Sequence, residues 1–133
     1  MSKPYVHAVR SAQLFGGRPE DYLPVHDFLD SSKAAFPDNR HRALTHNTWF
    51  LTTVLDRVFG PALTNSDGDT VPTRAVGEQH VIEDFGGQFI PSAQDFLQSM
   101  DARPWMDGRG VPPSFSRTES TPPVQTIPLY DSE

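Results

Sequence analysis

The stretch Thr73-Arg-Ala-Val-Gly-Glu-Gln-His-Val-Ile-Glu-Asp-Phe85 reads as one helix, with Thr73 as its N-cap and Gly86-Gly87 as its stop. At about 100° per residue, Val81, Ile82 and Phe85 gather on one side, while Val76, His80, Glu83 and Asp84 gather on the opposite side. Such a helix has an apolar face to bury and an imidazole–carboxylate face that needs partners. Glu78 falls between Ile82 and Phe85, where an unpaired charge is costly, so it is expected to find a cation or a metal.

The same pattern extends in both directions. A first helix is expected over Pro4–Phe15, with Pro in the first turn and Gly16-Gly17 ending it. A second runs from about Pro19 or Pro24 to Ala35, with Tyr22, Val25, Leu29 and Ser32 on one face and Pro37 beyond its end. The longest is expected from Asp38 as N-cap to Phe59, with Leu44, Leu51, Val54, Leu55 and Val58 as its core stripe. Between it and Thr73, the run from Ala62 to Pro72 has the chemistry of a short hairpin, turning at Asp67-Gly68. A last short helix opens at Ser92 with Asp95 three residues on and ends near Met100, and Trp105-Met106 is expected to close the core. The expected fold is mainly α: a four- to five-helix domain with one small β-hairpin, spanning residues 1–106.

Residues 107–133 differ in composition. They hold five of the 13 prolines, several Ser and Thr, and few large apolar side chains. This segment cannot bury enough surface to offset its ordering entropy, so it is expected to be an extended tail. Phe115, Val124, Ile127, Leu129 and Tyr130 are its candidate anchors, docking on the body or on neighbouring subunits in a larger assembly, for example on a virion. The tail carries a net charge of −2 and the body −4, within a total of −6 over 133 residues. That acidity argues against a duplex nucleic-acid partner. Zero Cys excludes disulfides and thiolate zinc sites. No run of about 18 apolar residues predicts a membrane span, and no apolar segment after Met-Ser-Lys-Pro predicts a secretory signal. A cytoplasmic or virion-associated protein is therefore expected.

Chemistry is sought among the five histidines, which the predicted helices distribute as His7, His26, His41 with His46, and His80. His7 precedes Ser11, His26 precedes Asp30 and His80 precedes Asp84 by one turn, which sets each pair on a shared face. A carboxylate so placed can orient an imidazole for a metal. The expected ligands are His7, His26, His41, His80, Asp27 and Asp84, with His46, Glu78, Glu83 and Asp30 supporting them. Zinc, or another divalent transition metal, suits neutral imidazoles with carboxylates. Arg40 and Arg42 flank His41 and form a candidate anion grip. Asn65-Ser-Asp-Gly-Asp69 has the start of a calcium loop but no completing Glu, so it reads as a turn.

Two resemblances accompany these residues. Val25-His26-Asp27-Phe28, preceded by His7 and followed by Asp84, resembles the His…His-Asp…Asp layout of HD-superfamily phosphohydrolases. That resemblance implies a metal that activates water against a phosphate ester or nucleotide. Over about residues 7–106 the chain is also similar to a family of small uncharacterised proteins encoded by bacteria and their phages. The similarity rests on His7-x-x-x-Ser11 with Phe15-Gly16-Gly17, Pro19-Glu-Asp-Tyr-Leu-Pro24 with His26, Arg40-His-Arg-Ala-Leu44 with His46, Thr64-Asn-Ser-Asp-Gly68, Gly77-Glu-Gln-His80 with Glu83-Asp84, Ile90-Pro91 and Pro104-Trp105-Met106. It implies a shared fold and polar site, and no reaction. A binding or structural accessory protein is thus expected, with a metal-dependent hydrolase as the alternative.

Overall fold

Residues 3–110 and Ser114 are described in the computed structural model. They fall into two units divided after Met100. The predicted tail anchors Phe115, Val124, Ile127, Leu129 and Tyr130 lie outside the described residues.

Helix α1 (Pro4–Phe15) has Pro4 in its first turn and ends where Gly16, at φ +87°, donates its N–H to the Ala12 carbonyl. A 3₁₀ turn over Pro19–Asp21 leads into α2 (Leu23–Asp30), and a second over Ser31–Ala34 tightens its exit. Both agree with the first two predicted helices.

The long helix expected over 38–59 is not one helix. A 3₁₀ turn (Asn39–His41) runs into the single turn α3 (Arg42–Thr45), and His46 leaves the helix at φ −99°, ψ +54°. The cause is Asn47. Its Oδ1 accepts the Phe50 N–H at 2.9 Å, as an N-cap does, and its Nδ2 donates to the Ala43 carbonyl. The chain then passes through a π-helical segment (Phe50–Val54) into α4 (Leu55–Phe59). The break and the wider π turn shift the stripe: Leu51 and Leu55 are fully buried, whereas Leu44 and Val58 are exposed.

Strands β1 (Ala62–Thr64) and β2 (Thr70–Pro72) pair antiparallel, with Leu63 opposite Val71. A two-stranded ribbon is marginal alone, and its turn is tied to the end of α1. Asn65 donates to the Phe15 carbonyl, Gly17 N–H donates to Asp67 Oδ2, and Ser66 N–H donates to Asp21. Gly17 sits at φ +75°, and a Cβ there would come within 2.8 Å of Asn65 Cβ.

Helix α5 (Thr73–Asp84) packs against α1, α2 and α4. Thr73 does not cap it; its hydroxyl donates to the Gly60 carbonyl at 2.6 Å, and Pro72 holds the cap position. The face carrying Val76, Gly77, His80 and Val81 is buried, so the imidazole side turns inward rather than away from the core. Helix α6 (Ala93–Leu97) begins with the expected Ser92–Asp95 capping box and stops short of Met100. Trp105 and Met106, expected to close the core, are exposed. The apolar core joins Tyr22, Val25 and Leu29 with Phe50, Leu51, Leu55, Val71, Val76 and Val81. Among the described residues no helix is long and apolar enough to cross a membrane.

Candidate metal centre

All five histidines are buried, with at most 1% of their surface exposed. They come from α1, α2, α5 and the broken segment around α3, and their rings pack together. His7 stacks on His80 at 3.9 Å between centroids, and His46 meets His80 edge-on at 5.0 Å.

Four ligand-type atoms converge, one each from Asp30, His46, His80 and Asp84, all within 4.8 Å of one another. His46 Nε2 lies 2.8 Å from Asp84 Oδ2 and 3.8 Å from Asp30 Oδ1. His80 Nε2 lies 3.2 Å from each of those carboxylate oxygens. This His/Asp cluster could hold a metal ion. Local structure explains the meeting: His80 and Asp84 share a face of α5 one turn apart, Asp30 closes α2, and the break before Asn47 frees His46 to point inward.

The remaining candidates stand behind this set. His7 Nδ1 donates to Glu83 Oε1 at 2.8 Å, and its Nε2 lies 3.2 Å from the outer oxygen of Asp84, outside hydrogen-bond geometry. His26 bonds through Nδ1 to His80 Nδ1 at 2.9 Å and through Nε2 to Ser11 Oγ at 2.7 Å. His41 bonds to Ser32 Oγ at 2.6 Å and sets its ring edge-on to His46. Asp27 is exposed, because about 100° of helix rotation separates it from His26. The His26-Asp27 dipeptide is therefore not a shared ligand pair. Glu78 takes Arg74 as its cation at 2.9 Å.

Arg40 and Arg42 do not form one grip. Arg40 is exposed, paired with Asp38 at 2.7 Å and laid over the Phe36 ring. Arg42 turns inward, with Nη2 at 3.9 Å from Asp84 Oδ1 and Nη1 donating to the Asp84 carbonyl. The 65–69 segment is a turn: Asn65 Oδ1 accepts from the N–H groups of Asp67 and Asp69.

The electrostatics follow from burial. Desolvation, with His80 and His7 adding repulsion, pushes His26 down to about 3. Desolvation likewise lowers His41 and His46. It opposes charge at His7 too, but there the adjacent carboxylates of Asp84 and Glu83 outweigh it and raise the value. Burial alone would raise Asp84 and Asp30. The histidines around Asp84 instead hold it well below the usual carboxylate range, and His80 lowers Asp30.

A family model described as a domain of unknown function, DUF6915, matches residues 2–106. The chain belongs to this family. All four convergent residues, and every residue that supports them, lie inside the DUF6915 match. No curated protein and no solved structure matches the chain. The four convergent residues include His80 and Asp84 from the expected ligand set together with His46 and Asp30, expected in supporting roles, and do not include His7, His26, His41 or Asp27. The signal that could have found His46 was the Asn47 cap, which turns the residue before it out of the helix.

Proposed function

We propose that this DUF6915 protein is a non-catalytic binding protein whose helical body is held together by a divalent transition metal, zinc first, at Asp30, His46, His80 and Asp84. One observation carries the reading: the spacing of the four atoms. A tetrahedral ion with bonds of about 2.0–2.1 Å has ligand–ligand edges of about 3.3 Å. The separations between imidazole nitrogens and carboxylate oxygens run from 2.8 to 3.8 Å, and all four atoms lie within 4.8 Å of one another, so a small inward shift brings them to that value. Two carboxylates also balance a divalent charge in a place where net charge is costly.

Burial supports a structural role. The side chains of Asp30 and Asp84 are 5% and 3% exposed, and those of His46 and His80 are fully covered. A hydrolytic centre keeps one position open to water and substrate, whereas a structural one is closed. Elemental analysis of the purified full chain tests the reading. About one transition-metal ion per chain is expected for a four-ligand site, lost in the His80→Ala variant. Absence of transition metal from protein purified without chelator, together with no uptake of added Zn²⁺, sinks it.

The tail belongs to the same proposal. Its Pro-rich composition with spaced apolar residues supports an arm that docks on neighbouring subunits. Removing residues 107–133 is expected to abolish assembly, read by light scattering, and to leave the circular dichroism and melting of the body unchanged. Unaltered assembly removes the arm from the proposal.

A further inference from the structure

Away from the histidines, residues of the 3₁₀ turn Asn39–His41, of α3 and of α6 line a groove of about 550 Å³. Its walls are mostly apolar: Phe36, Ala43, Phe96 and Met100. Met100 is 56% exposed and Phe36 39%, so water covers side chains that a partner could cover instead. Cavities of about 300–1,000 Å³ take a small ligand or a few side chains. One cation stands among these walls. The Arg40 guanidinium lies 4.4 Å above the Phe36 ring, and Asp38 accepts from its Nε and Nη2. Its Nη1 has no acceptor among the described residues. A guanidinium carries five N–H groups in a fork, so this edge is open to a second carboxylate.

The chain itself carries a segment of matching chemistry, Val124-Gln-Thr-Ile-Pro-Leu-Tyr-Asp131. Ile127 and Leu129 offer aliphatic side chains on either side of Pro128, and Asp131 follows with a carboxylate. A proline has its φ already fixed and holds the residue before it extended, so docking this segment orders fewer free torsions. Grooves walled by aromatic rings are the usual seats of such proline-containing strands. Charge points the same way. Body and tail are both net acidic, so a cation set among apolar walls is where a segment ending in a carboxylate is drawn in. Length sets no barrier: extended at about 3.3 Å per residue, the chain from Met100 to Ile127 reaches well beyond its own body.

We infer that this groove is the seat of the arm: residues 124–131 of a neighbouring copy lie in it, with Ile127 and Leu129 against Phe36, Phe96 and Met100, and with Asp131 on the open edge of Arg40. The inference rests on the arm reading above and names the surface that the arm finds; it is independent of the metal centre. A tail of one copy in the groove of the next is a head-to-tail contact, which propagates into a ring or a longer array rather than stopping at a symmetric pair.

The test uses full-length chains, with assembly followed by sedimentation velocity over a range of concentrations. Met100→Glu puts a charge on an exposed wall of the groove, and Leu129→Asp puts one in the arm. Each is expected to raise the concentration of half-assembly about 10–100-fold and to leave the circular dichroism unchanged. Arg40→Glu is expected to raise it about 2–5-fold, and Asp131→Arg in the same chain to reverse that rise. Mixing the Met100→Glu and Leu129→Asp chains is the decisive step. One retains its arm and the other its groove, so a one-to-one complex is expected where neither assembles alone. A mixture that stays dissociated overturns docking between copies. If removing residues 107–133 abolishes assembly while Met100→Glu and Arg40→Glu assemble like the wild type, the groove is overturned and the arm reading stands. A wild type that stays monomeric, or assembly unaltered by removal of the tail, removes both.

Discussion

Asp84 is the residue on which three imidazoles converge: His46 and His80 at its inner oxygen and His7 at its outer one. A carboxylate in this position neutralises neighbours that the core would otherwise exclude. Asp84→Asn keeps the shape but sets an N–H₂ group or a weaker acceptor among those rings. The metal-free variant is expected to lose about 3–5 kcal/mol, the usual cost of breaking a buried charge pair, read by urea unfolding, and to bind no Zn²⁺. Asp27→Asn, one residue after a buried histidine but itself exposed, is expected to leave both stability and Zn²⁺ uptake unchanged. A large loss on Asp27→Asn would revive the His26-Asp27 pair as a ligand unit.

Among the secondary-structure elements, α5 approaches the π-helical segment and α4 at Gly77, where an added methyl would press on the ends of two buried leucine side chains. A Cβ at Gly77 would lie 2.5 Å from Leu55 Cδ1 and 2.9 Å from Leu51 Cδ2. Alanine is the better helix former by about 0.8–1.0 kcal/mol, yet forcing the methyl into a packed seam costs about 1–3 kcal/mol. Gly77→Ala is therefore expected to destabilise the protein, seen as a lower melting temperature. A higher one would mean that the seam is looser than these distances imply. The same close approach brings His80, one turn on from Gly77, into the middle of the cluster.

For the whole molecule, the core is unusual in substance. Five of its largest fully buried side chains are imidazoles, which partly accounts for how few apolar residues the chain has. Such a core is sensitive to acid. His26 ionises at about 3 when folded against 6.5 ordinarily, so between those values the unfolded chain binds more protons and stability falls with pH. His41 and His46 are shifted in the same direction. His7 is shifted oppositely: its contribution is complete below 6.5 and is lost as pH rises through its folded value. With three lowered against one raised, the metal-free protein is expected to melt at a lower temperature at pH 5 than at pH 7.5. Equal melting temperatures would mean that these rings are already charged in the fold.

The sequence by itself determined the helices that begin at Pro4 and Thr73, a second helix beginning at about Pro19 or Pro24, the hairpin around Gly68 and the capping box at Ser92. Each follows from signals within a few residues: a proline in the first turn, a glycine beyond the end, a side chain that caps its own helix. It also brought all five histidines and Asp30, Asp84 and Glu83 under suspicion, because one-turn spacing is a local property. Tertiary structure alone decided which of them meet. Along the chain His7, with Ser11 one turn on, is the stronger candidate, and only the Asn47 break, with the seating of α5 against its neighbours, turns His46 inward and leaves His7 behind Asp84. Which imidazoles share a centre depends on contacts between residues as many as 76 positions apart, such as His7 with Glu83. No periodicity encodes those contacts, since side-chain spacing fixes directions within one helix and not the rotation of one helix against another.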